Sequence, residues 1–173
     1  WRKRGFDDRD FQSMGHFVEY LYNNSSLLHI DDTAGLTESE FRRRATALQH
    51  KQDVQLILID YLQLMRLSNP RIINQEQIFA TISSECKRVA KELNLPVIAL
   101  SQLSRAVETR GGTKRPKLSD IRYSGAIEQD ADVVVFPYRP EYYKIMEDEE
   151  GNSLKGVGEL IVAKNREGAC GTA

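Results

Sequence analysis

Asp60 closes an uninterrupted run of branched apolar residues, Leu56-Ile57-Leu58-Ile59. A run without polar alternation predicts a strand buried on both faces. A carboxylate where such a strand emerges can hold Mg²⁺ beside nucleotide phosphates in an α/β protein. An ordinary core strand ending in a turn aspartate accounts for this stretch alone equally well. Tyr61 follows, so no second acid adjoins Asp60 to serve as a base. A second apolar run, Pro96 to Ser101, delivers Gln102 at its end; on its own that is a polar strand cap. Lys164 and Arg166 flank Asn165 where the last apolar run stops. In extended chain, residues i and i+2 point the same way, so two cations share one face; alone they read as a solvated strand end. From Arg105 to Arg122 there are six basic residues against two acids. Such a local excess, followed by Ser124 and Gly125, suits the phosphates of a single nucleic-acid strand, although a solvated basic loop is the commoner meaning. Arg66 and Arg71, in the loop after Asp60, form a weaker second candidate of the same kind.

These groups need elements to hold them. Phe11, Met14, Phe17, Val18 and Leu21 have helical spacing within Phe6 to Tyr22, broken by Asn23-Asn24-Ser25-Ser26. Leu27 to Ile30 is expected to be a short strand. Thr37-Glu38-Ser39-Glu40 is a capping box, predicting a helix to about His50. Strand Val54 to Ile59 follows, then a loop, then a long helix over about Asn74 to Leu93 whose apolar positions, from Ile78 to Leu93, fall on one face. Ser119-Asp120 can cap a short helical piece. Asp132 to Phe136 is a third buried strand, Tyr142 to Lys155 an excursion, and Gly158 to Lys164 a last strand. Strand, helix, strand, loop, strand implies an α/β fold with a mostly parallel sheet flanked by helices. Its chemistry is expected off the carboxyl ends of the strands, which carry Asp60, Ser101, Gln102, Arg139, Lys164 and Arg166.

The chain has 173 residues, 40% hydrophobic and 28% charged, with a formal net charge of −1. That is enough for one domain with a core, and any nucleic-acid partner must be held by a local patch. Cys86 and Cys170 lie far apart without metal-ligand spacing, which suggests a reducing compartment. Cys86 reads as a core residue, His16, His29 and His50 show no ligand spacing, and Arg42 to Arg44 read as a solvated helix face. No run is long enough to span a bilayer, and no signal peptide is visible. The opening Trp1-Arg2-Lys3-Arg4 and the abrupt end suggest a piece of a longer polypeptide.

With these segments in place, the chain resembles the C-terminal RecA-like ATPase domain of the DnaB-type replicative DNA helicases. The matching stretches are Leu58 to Met65 (LIDYLQLM), Leu100 to Glu108 (LSQLSRAVE), Arg115 to Asp120, Ser124 to Val133 (SGAIEQDADV), Tyr138-Arg139 and Ala163 to Gly168 (AKNREG). Several motifs in the family's order and spacing, over nearly the whole chain, make a specific signal. Two departures stand out. Tyr123 follows the loop arginine where the family carries an acid. No Gly-x-x-x-x-Gly-Lys-Ser/Thr is present, and the family's catalytic glutamate lies upstream of these residues.

The resemblance implies a RecA-like P-loop NTPase core over residues 1–173, lacking its phosphate loop, from a cytoplasmic, ATP- and Mg²⁺-dependent helicase. Asp60 would be the Walker B aspartate, holding the metal through water. Gln102 would sense the γ-phosphate, and Lys164 and Arg166 would act in trans on the nucleotide of the adjacent protomer in a homo-hexamer. Arg122, Ser124 and Gly125, with Arg71 on the second loop, would contact single-stranded DNA in the central pore. Primase and a helicase loader are implied partners. Without the phosphate loop and the glutamate, the piece alone is expected to bind ATP poorly and hydrolyse none. A recombinase-type ring ATPase and a non-catalytic ring scaffold remain as other readings.

Overall fold

The computed structural model describes residues 8–23, 28–112 and 114–173. Two compact units divide the chain, residues 1–33 and 34–173. In the first, helix α1 spans Asp8–Asn23. Phe11, Met14, Phe17 and Val18 recur at helical spacing along it and are exposed. The expected start at Phe6, the break at Asn24 to Ser26 and Leu27 lie outside the described residues. Leu28 to Ile30 do not form the expected strand.

The second unit is built around one helix. The capping box opens α2 (Glu38–Gln52) as expected: the Glu40 amide donates to the Thr37 hydroxyl at 3.3 Å and the Thr37 amide to the Glu40 carboxylate at 3.1 Å. Strand β1 (Ile57–Ile59) leads through a 3₁₀ turn, Leu62–Leu64, to α3 (Gln75–Leu93), which Asn74 caps. A left-handed Asn94 (φ 51°) closes α3 and turns the chain into β2 (Val97–Ala99). Along α3, Phe79, Ile82, Cys86 and Val89 fall on one face and are buried. Burial pushes the Cys86 thiol up to about 12, so it stays protonated and inert. A short α4 (Ala106–Thr109) and α5 (Ser124–Asp130) precede β3 (Val133–Tyr138), β4 (Glu159–Asn165) and β5 (Gly171–Thr172).

The α/β class is realised, with one parallel strand pair among the described residues: β1 and β2 run together in the register Ile57↔Val97 to Ile59↔Ala99, with α3 as their crossover. The pairing of β3 with β4 is antiparallel, as is β4 with β5. Between β3 and β4 the chain holds a 3₁₀ turn (Pro140–Tyr143) and a loop folded on the Asp148 carboxylate, with no crossover helix to bring the next strand round in parallel. Arg139 and the Lys164–Arg166 pair therefore sit at opposite ends of the β3–β4 ladder, not on one edge as expected.

β1 and β3 bury one face only, whereas β4 is half-buried on both from Ile161 to Asn165. Ile57, Ile59, Val97, Val134, Phe136 and Ile161 meet the core around α3. Leu58, 62% exposed, points the other way, with Ile98, Val133, Val135 and Leu160. In β1 and β3 the run is apolar on both sides, yet the described residues of this unit cover only one.

Candidate functional site

Asp60 stands one residue past β1 and Gln102 three past β2, so the parallel register brings both to the same sheet end. The Leu100 amide donates to the Ile59 carbonyl (2.9 Å) and the Leu62 amide to the Leu100 carbonyl (3.0 Å), extending the pairing beyond the strands. The Asp60–Tyr61 peptide is cis. Asp60 is exposed, and among the described residues no hydrogen bond or ion pair engages its carboxylate. Gln63 fastens the two strand ends together: its Nε2 donates to the Ser101 hydroxyl at 2.9 Å and its Oε1 accepts the Gln102 amide at 3.2 Å. Its motif was legible in the sequence; its bridging of two strands was not. The Gln102 side chain is left facing solvent.

The same loop is strapped to the basic segment. The Gln102 carbonyl accepts the Arg122 amide at 3.4 Å, Leu103 bridges Ile121, and the Ser104 amide donates to the Asp120 carbonyl at 2.7 Å. Asp120, 4% exposed, anchors the strap. It accepts from the Arg110 guanidinium and from the Lys117 amide at 2.8 Å. Burial pushes its carboxyl up, but those hydrogen bonds and the nearby positive charge outweigh it and hold the group below its ordinary value. Asp120 thus ends the 3₁₀ turn Leu118–Asp120 and accepts from the Lys117 amide at its start, so Ser119 and Asp120, expected as the cap of a short helical piece, lie inside one instead.

Arg122 is exposed and lies over the Tyr123 ring at 5.2 Å. Tyr123, left-handed at φ 60°, stacks on Phe79 of α3 at 4.9 Å. The Tyr123 ring thus seats the loop on the core. Ser124 begins α5 and Gly125 follows it, with nothing within 4 Å of where a Cβ would lie, so a ligand backbone could approach there. Glu76, Gln77, Ser104, Arg122, Tyr123 and Gly125 help line an open depression of about 590 Å³. Glu76 and Gln77 bring the start of α3 into that depression. Arg71, on the loop before it, is exposed, with its amide turned onto the Asn69 side chain at 3.1 Å.

Lys164 and Arg166 project from the end of β4 onto the end of α5. The Lys164 ammonium donates to the carbonyls of Glu128 (2.5 Å), Ala131 (2.8 Å) and Gln129 (3.4 Å). A cation at the carbonyl end of a helix satisfies acceptors that have no partner within it. Arg166, whose side chain is 50% exposed, donates to the Gln129 carbonyl at 3.1 Å and meets the Asp132 carboxylate at 3.1 Å. The other Asp132 oxygen takes the Lys87 ammonium from α3. The hydrogen bond from Lys87, aided by the surrounding cations, holds the Asp132 carboxyl below its ordinary value. Neither Asp132 nor Lys87 was marked out by type or spacing, since their contact joins residues far apart in sequence.

Among the described residues no group of three or more His, Cys, Asp or Glu side chains could cage a metal ion. A lone exposed carboxylate does fit Mg²⁺, which keeps most of its waters and takes one or two protein carboxylates beside phosphate oxygens. Among the described residues no helix is long and apolar enough to cross a membrane.

The family model for the DnaB-like helicase C-terminal domain matches residues 1–173. The replicative DNA helicase DnaC of Bacillus subtilis is 49% identical over 149 residues, covering 86% of this chain and 32% of that protein. The replicative DNA helicase DnaB of Pasteurella multocida is 44% identical over 170 residues, covering 97% and 34%. The chain thus spans about a third of the length of these curated relatives. A solved DnaB-like replicative helicase, studied with its interactions with primase, superposes with a TM-score of 0.82 at 35% identity over 99% of this chain and 39% of that one. A second solved structure, of an ATPase domain, gives 0.82 at 36% identity over 98% and 57%. With a RecA-like α/β core, Asp60 and Gln102 at one sheet end and a family match along its whole length, the chain belongs to the DnaB-like helicase C-terminal domain family.

Proposed function

We propose that this chain is the later part of the motor of an ATP-driven replicative DNA helicase: a cytoplasmic homo-hexameric ring that translocates on single-stranded DNA and unwinds duplex. The observation that carries this reading is the Arg122 amide on the Gln102 carbonyl, which joins a strand end suited to sensing nucleotide directly to a loop suited to holding DNA. Asp60 would hold Mg²⁺ through water, and bound Mg²⁺ would bridge phosphate oxygens and neutralise their charge. The Gln102 amide would hydrogen-bond the terminal phosphate and the attacking water. Arg166 would reach the nucleotide of the adjoining protomer. Lys164 would join it only by exchanging its three carbonyl bonds for phosphate, and otherwise steadies the end of α5. Arg122, Gly125 and Ser124, with Arg71 from the second loop, would contact the DNA backbone. The solved relative's interactions with primase support a primase partner, and a loader belongs to the same reading.

The experiment uses the full-length protein on a forked duplex. Arg122→Glu should weaken single-stranded DNA binding by about tenfold or more at moderate salt, because each lost phosphate contact reduces counterion release, and strand displacement should fall with it. Unchanged affinity would remove the DNA role of this loop. ATP turnover without any strand displacement by the parent protein would favour a ring ATPase that does not unwind.

A further inference from the structure

We propose that Asp132, backed by Lys87, is a positioning residue for Arg166, setting the direction in which its guanidinium leaves the subunit. The inference rests on the role given to Arg166 above. Arg166 is the first residue past β4, and a side chain that long, on a strand end, has many rotamers open to it. Asp132 stands opposite, immediately before β3, because Val133 pairs with Asn165. The two residues meet twice: the Arg166 amide donates to the Asp132 carbonyl at 2.8 Å, and Nη1 of Arg166 meets Oδ1 of Asp132 at 3.1 Å. Nη2 is fixed separately, on the Gln129 carbonyl at 3.1 Å. With both terminal nitrogens held, the plane of the guanidinium is defined. Each of those nitrogens keeps a second N–H, and half of the side chain stays exposed toward whatever lies beyond the subunit.

Lys87 completes the arrangement. Its ammonium occupies the second oxygen of Asp132, so the carboxylate is shared between two cations and does not neutralise Arg166. The resulting triad keeps a net positive charge and lines an open pocket of about 450 Å³ together with Lys91, Asn165 and Glu167. An ion pair this exposed, with 54% of the Asp132 side chain accessible, adds little to stability. Its consequence is orientation: a group that must meet a phosphate at hydrogen-bond range loses rate steeply when misplaced by an ångström.

The test is steady-state ATP turnover of the full-length ring. Asp132→Asn keeps the size and one carbonyl oxygen but loses the charge. We expect kcat to fall about tenfold or more, with KM for ATP, ring size and thermal midpoint close to the parent, and Asp132→Glu to recover part of the loss. Lys87→Met, which touches neither Arg166 nor substrate, should give a smaller loss, again confined to kcat. Parental kcat in both variants overturns the proposal, as does a loss traced to KM or to ring dissociation. Arg166→Ala separates the two layers. If it keeps parental turnover, the role of Arg166 itself fails. If it is inactive while Asp132→Asn is fully active, only the positioning role fails.

Discussion

The end of the β1–β2 pair and the end of β4 both present polar side chains suited to phosphate, but they hold them in opposite ways. At the first, the backbone is fixed and the side chains are loose. Gln63 pins the Gln102 amide and the Ser101 hydroxyl, while the Asp60 carboxylate and the Gln102 side chain face solvent. At the second, the side chains themselves are held: Lys164 by three carbonyls, Arg166 by one carbonyl and a carboxylate. A site whose reactive groups are exposed on a rigid frame is completed by what binds it. A site whose cations are held in place by their own chain is aimed before anything arrives, which limits the ordering cost on contact. In the proposed ring each nucleotide would see both kinds of wall, one from each subunit.

The sharpest way to break this comparison is to loosen the frame of the first region. Asp120→Ala removes the buried acceptor that holds Arg110 and the Lys117 amide and supports the strap from Ser104 to Arg122. Leaving those donors unpaired should cost about 3 kcal/mol, measured by urea unfolding. The native pKa of Asp120 lies below its ordinary value. Its contribution is therefore present above the unfolded-state pKa of about 3.9 and is lost as pH falls through the lower native value. The parent should lose stability on acidification below about pH 4, and the alanine variant should lose less over that window. Equal acid sensitivity would show that Asp120 is not what fixes this loop.

Which of these features were legible in the sequence follows from the range of the forces involved. The Thr37–Glu40 capping box and the apolar face of α3 are set within a few residues, and both were readable. Asp60 and Gln102 on one edge followed from strand–helix–strand order alone. The antiparallel return of β4 was not readable, because it depends on residues 139–158 failing to make a crossover helix. Burial of the strands on both faces was expected from composition, which reports what a face could bury and not what covers it. The clamp on Arg166 and the carbonyl cap made by Lys164 join positions more than thirty residues apart, and no local pattern announces them.

Lys164 and Arg166 sharpen the contrast inside the second region, because spacing made them equivalent and contacts do not. Lys164→Met would leave three carbonyls at the end of α5 without their cation and should cost about 2 kcal/mol by urea unfolding. Arg166→Met, at an exposed ion pair, should change stability by less than about 1 kcal/mol. Equal losses would mean that the ammonium is not committed to α5, freeing it to act beside Arg166 on phosphate.

The smallest expected effect concerns the fastening in the first region. Gln63→Glu keeps an oxygen for the Gln102 amide but loses the donor to the Ser101 hydroxyl, whereas Gln63→Leu loses both. Neither change touches the Asp60 carboxylate or the core around α3. Stability should fall by about 1 kcal/mol in the leucine variant, and less in the glutamate one. If rigidity of this frame is what presents Gln102, the leucine variant should hydrolyse ATP several-fold more slowly in the full-length protein with nucleotide affinity retained, since only the placement of the amide has changed. Parental turnover in the leucine variant would mean that the pairing of Leu62 and Leu100 with the neighbouring strand suffices to place Gln102, and that the loose side chains of this region need no clamp of their own.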